Sequence, residues 1–69
     1  MDKFCLKLKE LRNERNLTCK EVAEAVGLTK NAITNYETGL REPSLETLKA
    51  LCLFYEVTSD YLLGLTDSY

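Results

Sequence analysis

The sequence predicts an all-α protein, a compact five-helix bundle, on three observations. Apolar residues recur at three- and four-residue intervals, as in Phe4, Leu8 and Leu11, which is the spacing of one helix face. Gly27, Gly39, Pro43 and Gly64 break the chain, and Thr18, Thr29, Ser44 and Thr58 stand where helices would start. No segment alternates apolar and polar residues long enough to make a strand. The 69 residues suffice for one domain with one core, spanning about residues 3–64 with a short tail over 65–69.

Helix 1 is expected from about Lys3 to Arg15, with Phe4, Leu8 and Leu11 inward. Leu6 faces away from that stripe and has no account in the pattern. Helix 2 starts at Thr18, which forms a capping box with Glu21, while Leu17 and Val22 make a hydrophobic staple. Val22, Ala23 and Val26 face inward, and Gly27 ends the helix as a left-handed residue. Helix 3 is capped by Thr29 and runs to about Thr38, with Leu28 and Ile33 as its staple and Gly39 after it. Ser44 caps helix 4, whose predicted buried stripe is Leu45, Leu48, Leu51, Cys52 and Tyr55. Thr58 caps a short helix 5, stapled by Val57 and Leu62 and ended by Gly64.

Composition narrows the function. Three cysteines (Cys5, Cys19, Cys52), no histidine and no Cys-x-x-Cys pair argue against a disulfide framework or a zinc site. The expected role of the thiols is that of small buried apolar residues in a reducing cytoplasm. No apolar run approaches the ~18 residues of a membrane span, and the charged N-terminus lacks a signal-peptide core. These features predict a cytoplasmic protein without a membrane, a cofactor or a small-molecule ligand. No nucleophile–base pair, phosphate loop or metal set is visible, which points away from catalysis.

The net charge is −2 and the pI near 5.0. Its distribution is uneven. Residues 1–41 hold eight Lys/Arg against six Asp/Glu, and residues 42–69 hold one Lys against five Asp/Glu. The basic excess lies in the first 41 residues, the half that includes the suspected reading helix, where a local field can attract phosphates in spite of the acidic total.

Helix 3 carries the functional signal. With about 100° per residue, Lys30, Thr34, Thr38, Asn31 and Asn35 fall within an arc of about 140°. Ala32, Tyr36, Thr29, Ile33 and Glu37 take the opposite arc, with Ile33 and Tyr36 toward the core. A solvated face would more often carry Glu and Lys, which are better helix formers than Asn and Thr. Asn can pair bidentately with adenine, and Lys can donate to guanine. Ala23, Gly27 and Ile33 supply the small residue, the tight corner and the wedge that a helix-turn-helix requires. In that arrangement the first helix lies across the DNA backbone and its N-terminal amides face a phosphate.

The run LKELRNERNLTCKEVAEAVGLTKNAITNYETGLREPSLETL, continuing to VTSDYLLG, resembles the Cro and phage-repressor (XRE-type) helix-turn-helix family over roughly residues 6–64. Ala23, Gly27, Ile33, Glu37, Gly39, Arg41, Pro43 and Ser44 stand where the family pattern has them. The resemblance implies a lambda-repressor-like domain that binds double-stranded operator DNA as a dimer and regulates transcription. It implies that Lys30, Asn31, Thr34 and Asn35 read bases, and that Thr29, Tyr36 and the Thr38–Arg41 loop contact phosphates. It also implies a structural ion pair between Arg12 and Glu37. Cys19 departs from the glutamine common at the start of helix 2, so its phosphate contact falls to the backbone amide or to the neighbouring Lys20.

Helix 4 and the tail carry apolar residues beyond one buried stripe. Leu53, Phe54, Tyr61, Leu63, Leu65 and Tyr69 are the candidates for a symmetric contact between two copies. The leading function is repression by a homodimer on a near-palindromic operator. The alternative is an interaction adaptor or antitoxin that keeps the fold without reading DNA.

Overall fold

The computed structural model describes residues 2–66. Five helices follow one another: α1 (Asp2–Glu14), α2 (Cys19–Val26), α3 (Lys30–Thr38), α4 (Leu45–Tyr55) and α5 (Ser59–Leu62). No strand occurs among the described residues. The chain measures 28 × 23 × 19 Å.

Each predicted cap is in place. Thr18, Thr29, Ser44 and Thr58 have extended backbones, and each side-chain oxygen accepts a hydrogen bond from the amide three residues on, which satisfies one otherwise orphaned donor. At α2 the capping box is complete: Glu21 Oε1 accepts from the Thr18 amide at 2.9 Å, and Thr18 Oγ1 accepts from the Glu21 amide at 3.1 Å. Helix α1 begins and ends one residue earlier than predicted. Asn16 turns left-handed at φ 55, a conformation Asn tolerates better than most residues, and the Leu17 amide bonds back to the Arg12 carbonyl at 3.1 Å. A second left-handed residue, Glu56 at φ 57, follows α4. Nothing in the sequence pattern marks it.

The core gathers Phe4, Leu8, Leu11, Val22, Ala23, Ile33, Leu51, Tyr55, Val57, Tyr61 and Leu62. Two expectations fail here. Helical periodicity puts Leu45 in the buried stripe of α4, but it is 85% exposed. The inward face of α4 centres on Leu51 and Tyr55, and Leu45 lies beyond its edge, where it lines a shallow groove with Leu48, Lys49, Cys52 and Ser59. Tyr61, a candidate dimer residue by sequence, is buried. The short α5 lays it on α1, where Lys7 Nζ stands 4.5 Å from its ring centre, a cation–π contact. Phe54 and Leu63 are half-buried against the core, whereas Leu53 and Leu65 are exposed. Tyr69 lies outside the described residues. None of the three cysteines is in a disulfide, and all are half-buried, not fully enclosed as expected. Burial pushes the Cys52 thiol pKa up, which keeps it protonated and unreactive.

Tyr55 supplies a test of the packing. Burial, then the nearby Glu37 carboxylate, pushes its phenol up to about 12 from an ordinary 10. The fold therefore favours the neutral phenol. That stabilisation is fully present below pH 10 and is lost as pH rises toward 12. Its expected size is about 2 kcal/mol. Urea unfolding at pH 9 and pH 12 should show a smaller alkaline loss in Tyr55→Phe than in wild type. Equal losses would mean that Tyr55 does not resist ionisation.

Candidate nucleic-acid interface

Helices α2 and α3 meet through Val22, Ala23 and Ile33, all buried. Ala23 is small enough to let the helix backbones approach, and Ile33 fills the angle between them. Gly27 makes the corner. Its φ of 75 lies in the left-handed region, and its amide bonds to the Ala23 carbonyl. A Cβ at Gly27 would meet nothing within 4 Å, so backbone conformation, not space, demands glycine there.

The outer face of α3 presents Lys30, Asn31, Thr34 and Thr38 to solvent. Asn35 is only half-buried, at the border of that face and not in its middle. Tyr36 is half-buried against the core. Thr29 Oγ1 accepts from the Ala32 amide at 3.1 Å, which leaves its hydroxyl proton for a second acceptor. Thr38 differs: its hydroxyl donates back to the Thr34 carbonyl at 2.9 Å, so donation to a phosphate requires the rotor to turn.

The axis of α3 is held from behind. Arg12 Nε donates to Glu37 Oε2 at 2.8 Å, and Arg12 Nη2 donates to Glu37 Oε1 at 3.0 Å. A third bond runs from Arg12 Nη1 to the Leu17 carbonyl at 2.9 Å. The two side chains are 15% and 6% exposed. The hydrogen bond to Glu37 drives the Arg12 pKa above its already high ordinary value, so the guanidinium stays charged. One guanidinium thus ties α1, the α1–α2 turn and the end of α3 together with planar, charge-assisted geometry.

The N-terminus of α2 has two amides, those of Cys19 and Lys20, that the capping box does not occupy. The Cys19 thiol packs partly against the core, so a contact at this position belongs to its backbone. Lys20 and Arg41 are exposed, and no ion pair among the described residues involves either. Sequence reasoning missed two features. Leu40 is 76% exposed between Gly39 and Arg41, on the loop assigned to phosphates. Arg15 Nη2 donates to the Tyr55 carbonyl at 2.7 Å and ties the turn after α1 to the end of α4, where Glu56 is the left-handed cap; no local sequence signal pairs the two. Among the described residues no group of His, Cys, Asp or Glu could hold a metal ion, and no helix is long and apolar enough to cross a membrane.

Comparison with known proteins agrees with this geometry. The helix-turn-helix family model matches residues 8–62. The transcriptional regulator ImmR of Bacillus subtilis is 43% identical over 58 residues, covering 84% of this chain and 46% of that protein. The cryptic phage CTXphi transcriptional repressor RstR of Vibrio cholerae is 44% identical over 54 residues, covering 78% of this chain and 49% of that protein. The chain spans about half the length of the curated relatives it matches. Among solved structures, the P22 c2 repressor in complex with a synthetic operator superposes with a TM-score of 0.82 at 25% identity, covering 86% of this chain and 89% of that one. The N-terminal DNA-binding domain of SinR from Bacillus subtilis gives 0.83 at 25% identity, covering 91% and 93%. The chain belongs to the helix-turn-helix family, in its Cro and phage-repressor branch.

Proposed function

We propose that the protein binds duplex DNA sequence-specifically and represses transcription, with α3 in the major groove. The observation that carries this reading is the solvent-facing Lys30, Asn31, Thr34, Thr38 surface, set on a helix whose angle the Arg12–Glu37 pair holds. Short polar side chains on a rigid helix can address base edges, and rigidity converts that contact into discrimination. The relative RstR, a transcriptional repressor, and the P22 c2 repressor in complex with a synthetic operator support the same reading. In it Lys30, Asn31 and Thr34 read bases, with Asn35 at the margin. The Cys19 amide, Lys20, Thr29, Tyr36, Thr38 and Arg41 meet phosphates.

One helix reads only a few base pairs, so two copies on a near-palindromic site complete the reader. Leu53 and Leu65 are the exposed leucines from the predicted contact, and Leu45 joins them. The direct test is selection from a random duplex library with wild type and Asn31→Ala/Asn35→Ala in parallel. A near-palindromic motif that blurs in the variant is expected. Failure of folded wild type to enrich any motif at low salt would sink the proposal and favour a protein-binding adaptor.

Salt dependence separates the phosphate-binding residues from the base readers. Replacing Lys20 or Arg41 with alanine should weaken binding to all sequences alike, and should flatten the slope of log K against log salt by about 0.9 for each phosphate no longer neutralised. Titration at four or five salt concentrations reads this. An unchanged slope removes that residue from the interface.

A further inference from the structure

Helix α1 runs beside the end of α3 along one definite edge. Cys5 Sγ stands 3.4 Å from where a Cβ on Gly39 would lie. Two turns further along, Arg12 holds Glu37. Side chains spaced by three and four residues share a helix face. Lys9 follows Cys5 by four and precedes Arg12 by three, so it projects from that same edge, beside the loop that begins at Gly39 and carries Arg41. Lys9 is exposed, and no ion pair among the described residues involves it. Glu10 and Glu14 on the same helix point about 100° and about 140° away from it. The Arg12 charge beside it is already balanced by Glu37.

The edge therefore offers two uncompensated cations from different elements, Lys9 on α1 and Arg41 on the α3–α4 loop, on either side of the corner at Gly39. We propose that Lys9 is a further phosphate-binding residue, which grips the DNA backbone together with Arg41 where it leaves the groove occupied by α3. This rests on the duplex-binding reading of α3 given above. A lysine is suited to the task as a compact charge on a flexible stem that needs no fixed geometry, and its contact adds affinity without adding sequence preference.

The experiment compares wild type, Lys9→Gln and Lys3→Gln on the duplex that wild type selects and on a scrambled duplex, across a salt series. Lys3, exposed on α1 but turned about 120° from Lys9 and packed beside Gly64, serves as the control for loss of charge in general. Circular dichroism checks that each variant is folded. Lys9→Gln should lower affinity for both duplexes by the same factor and flatten the salt slope by about 0.9 per protomer, with the selected motif unchanged, while Lys3→Gln matches wild type. A wild-type slope in Lys9→Gln overturns the proposal, and so does an equal loss in Lys3→Gln. If wild type binds no duplex at all, the underlying reading fails first, and the two failures are told apart by that measurement.

Discussion

Arg12→Ala is expected to cost about 3 to 5 kcal/mol of folding stability. The reason is what it leaves behind. Glu37, with its side chain only 6% exposed, would keep a carboxylate deprived of two hydrogen bonds, and the Leu17 carbonyl would be deprived of a third. Water reaches the pair through the 15% exposure of Arg12, so the lower end of that range applies. Native domains hold only about 5–15 kcal/mol in total, and a small one sits low in that range, so a substantial unfolded fraction should appear at 37 °C. Glu37→Ala strands the guanidinium instead and should cost a similar amount. Replacing both together, as Arg12→Met/Glu37→Leu, removes the uncompensated charge and should recover most of the loss, because apolar residues of similar volume often match a buried pair. Urea denaturation of the three variants measures this directly. A loss near 1 kcal/mol for Arg12→Ala would place the pair with ordinary surface ion pairs and remove its role as the brace behind α3.

The fold is legible in the sequence where local chemistry decides conformation. Thr18, Thr29, Ser44 and Thr58 are caps because their hydroxyls satisfy helix-end amides, and that preference is local enough to read from four residues. Gly27 and Gly39 mark corners for the same reason, since their left-handed φ values of 75 and 81 disfavour other residues. The limits appear where tertiary packing decides. Leu45 satisfies the helical period of α4, but it lines an open groove and stays exposed. Tyr61 looks spare in the sequence because its burial depends on α5 lying on α1 beneath Lys7. Asn35 lies on the polar arc by angle, yet it sits half-buried because a helix seated on its neighbours has a rim as well as a face. Arg15 is invisible in the sequence because its partner, the Tyr55 carbonyl, is a backbone atom 40 residues away. Glu56 is invisible because a left-handed glutamate follows no propensity rule.

Asn31→Ala carries the largest expected effect on function. Asn31 is exposed in the first turn of α3, so truncation opens no cavity. Alanine is also the better helix former, and stability should hold or rise by a few tenths of a kcal/mol. A bidentate contact to a base is worth about 1–3 kcal/mol of discrimination. Each change counts twice on a two-fold site, which gives about 2–6 kcal/mol, or roughly 30-fold to more than 10⁴-fold in Kd. Binding to a scrambled duplex should stay where it was, because phosphate contacts carry that affinity. The salt slope should stay too, since no charge is removed. This combination distinguishes a base reader from the alternatives. A residue that positions α3 would weaken binding and stability together, and a phosphate-binding residue would weaken both duplexes and flatten the slope. Kd for the selected and the scrambled duplex, measured beside a urea curve, separates the three. If Asn31→Ala leaves the ratio of the two Kd values unchanged, Asn31 does not read a base and the reading face of α3 must be redrawn around Lys30 and Thr34.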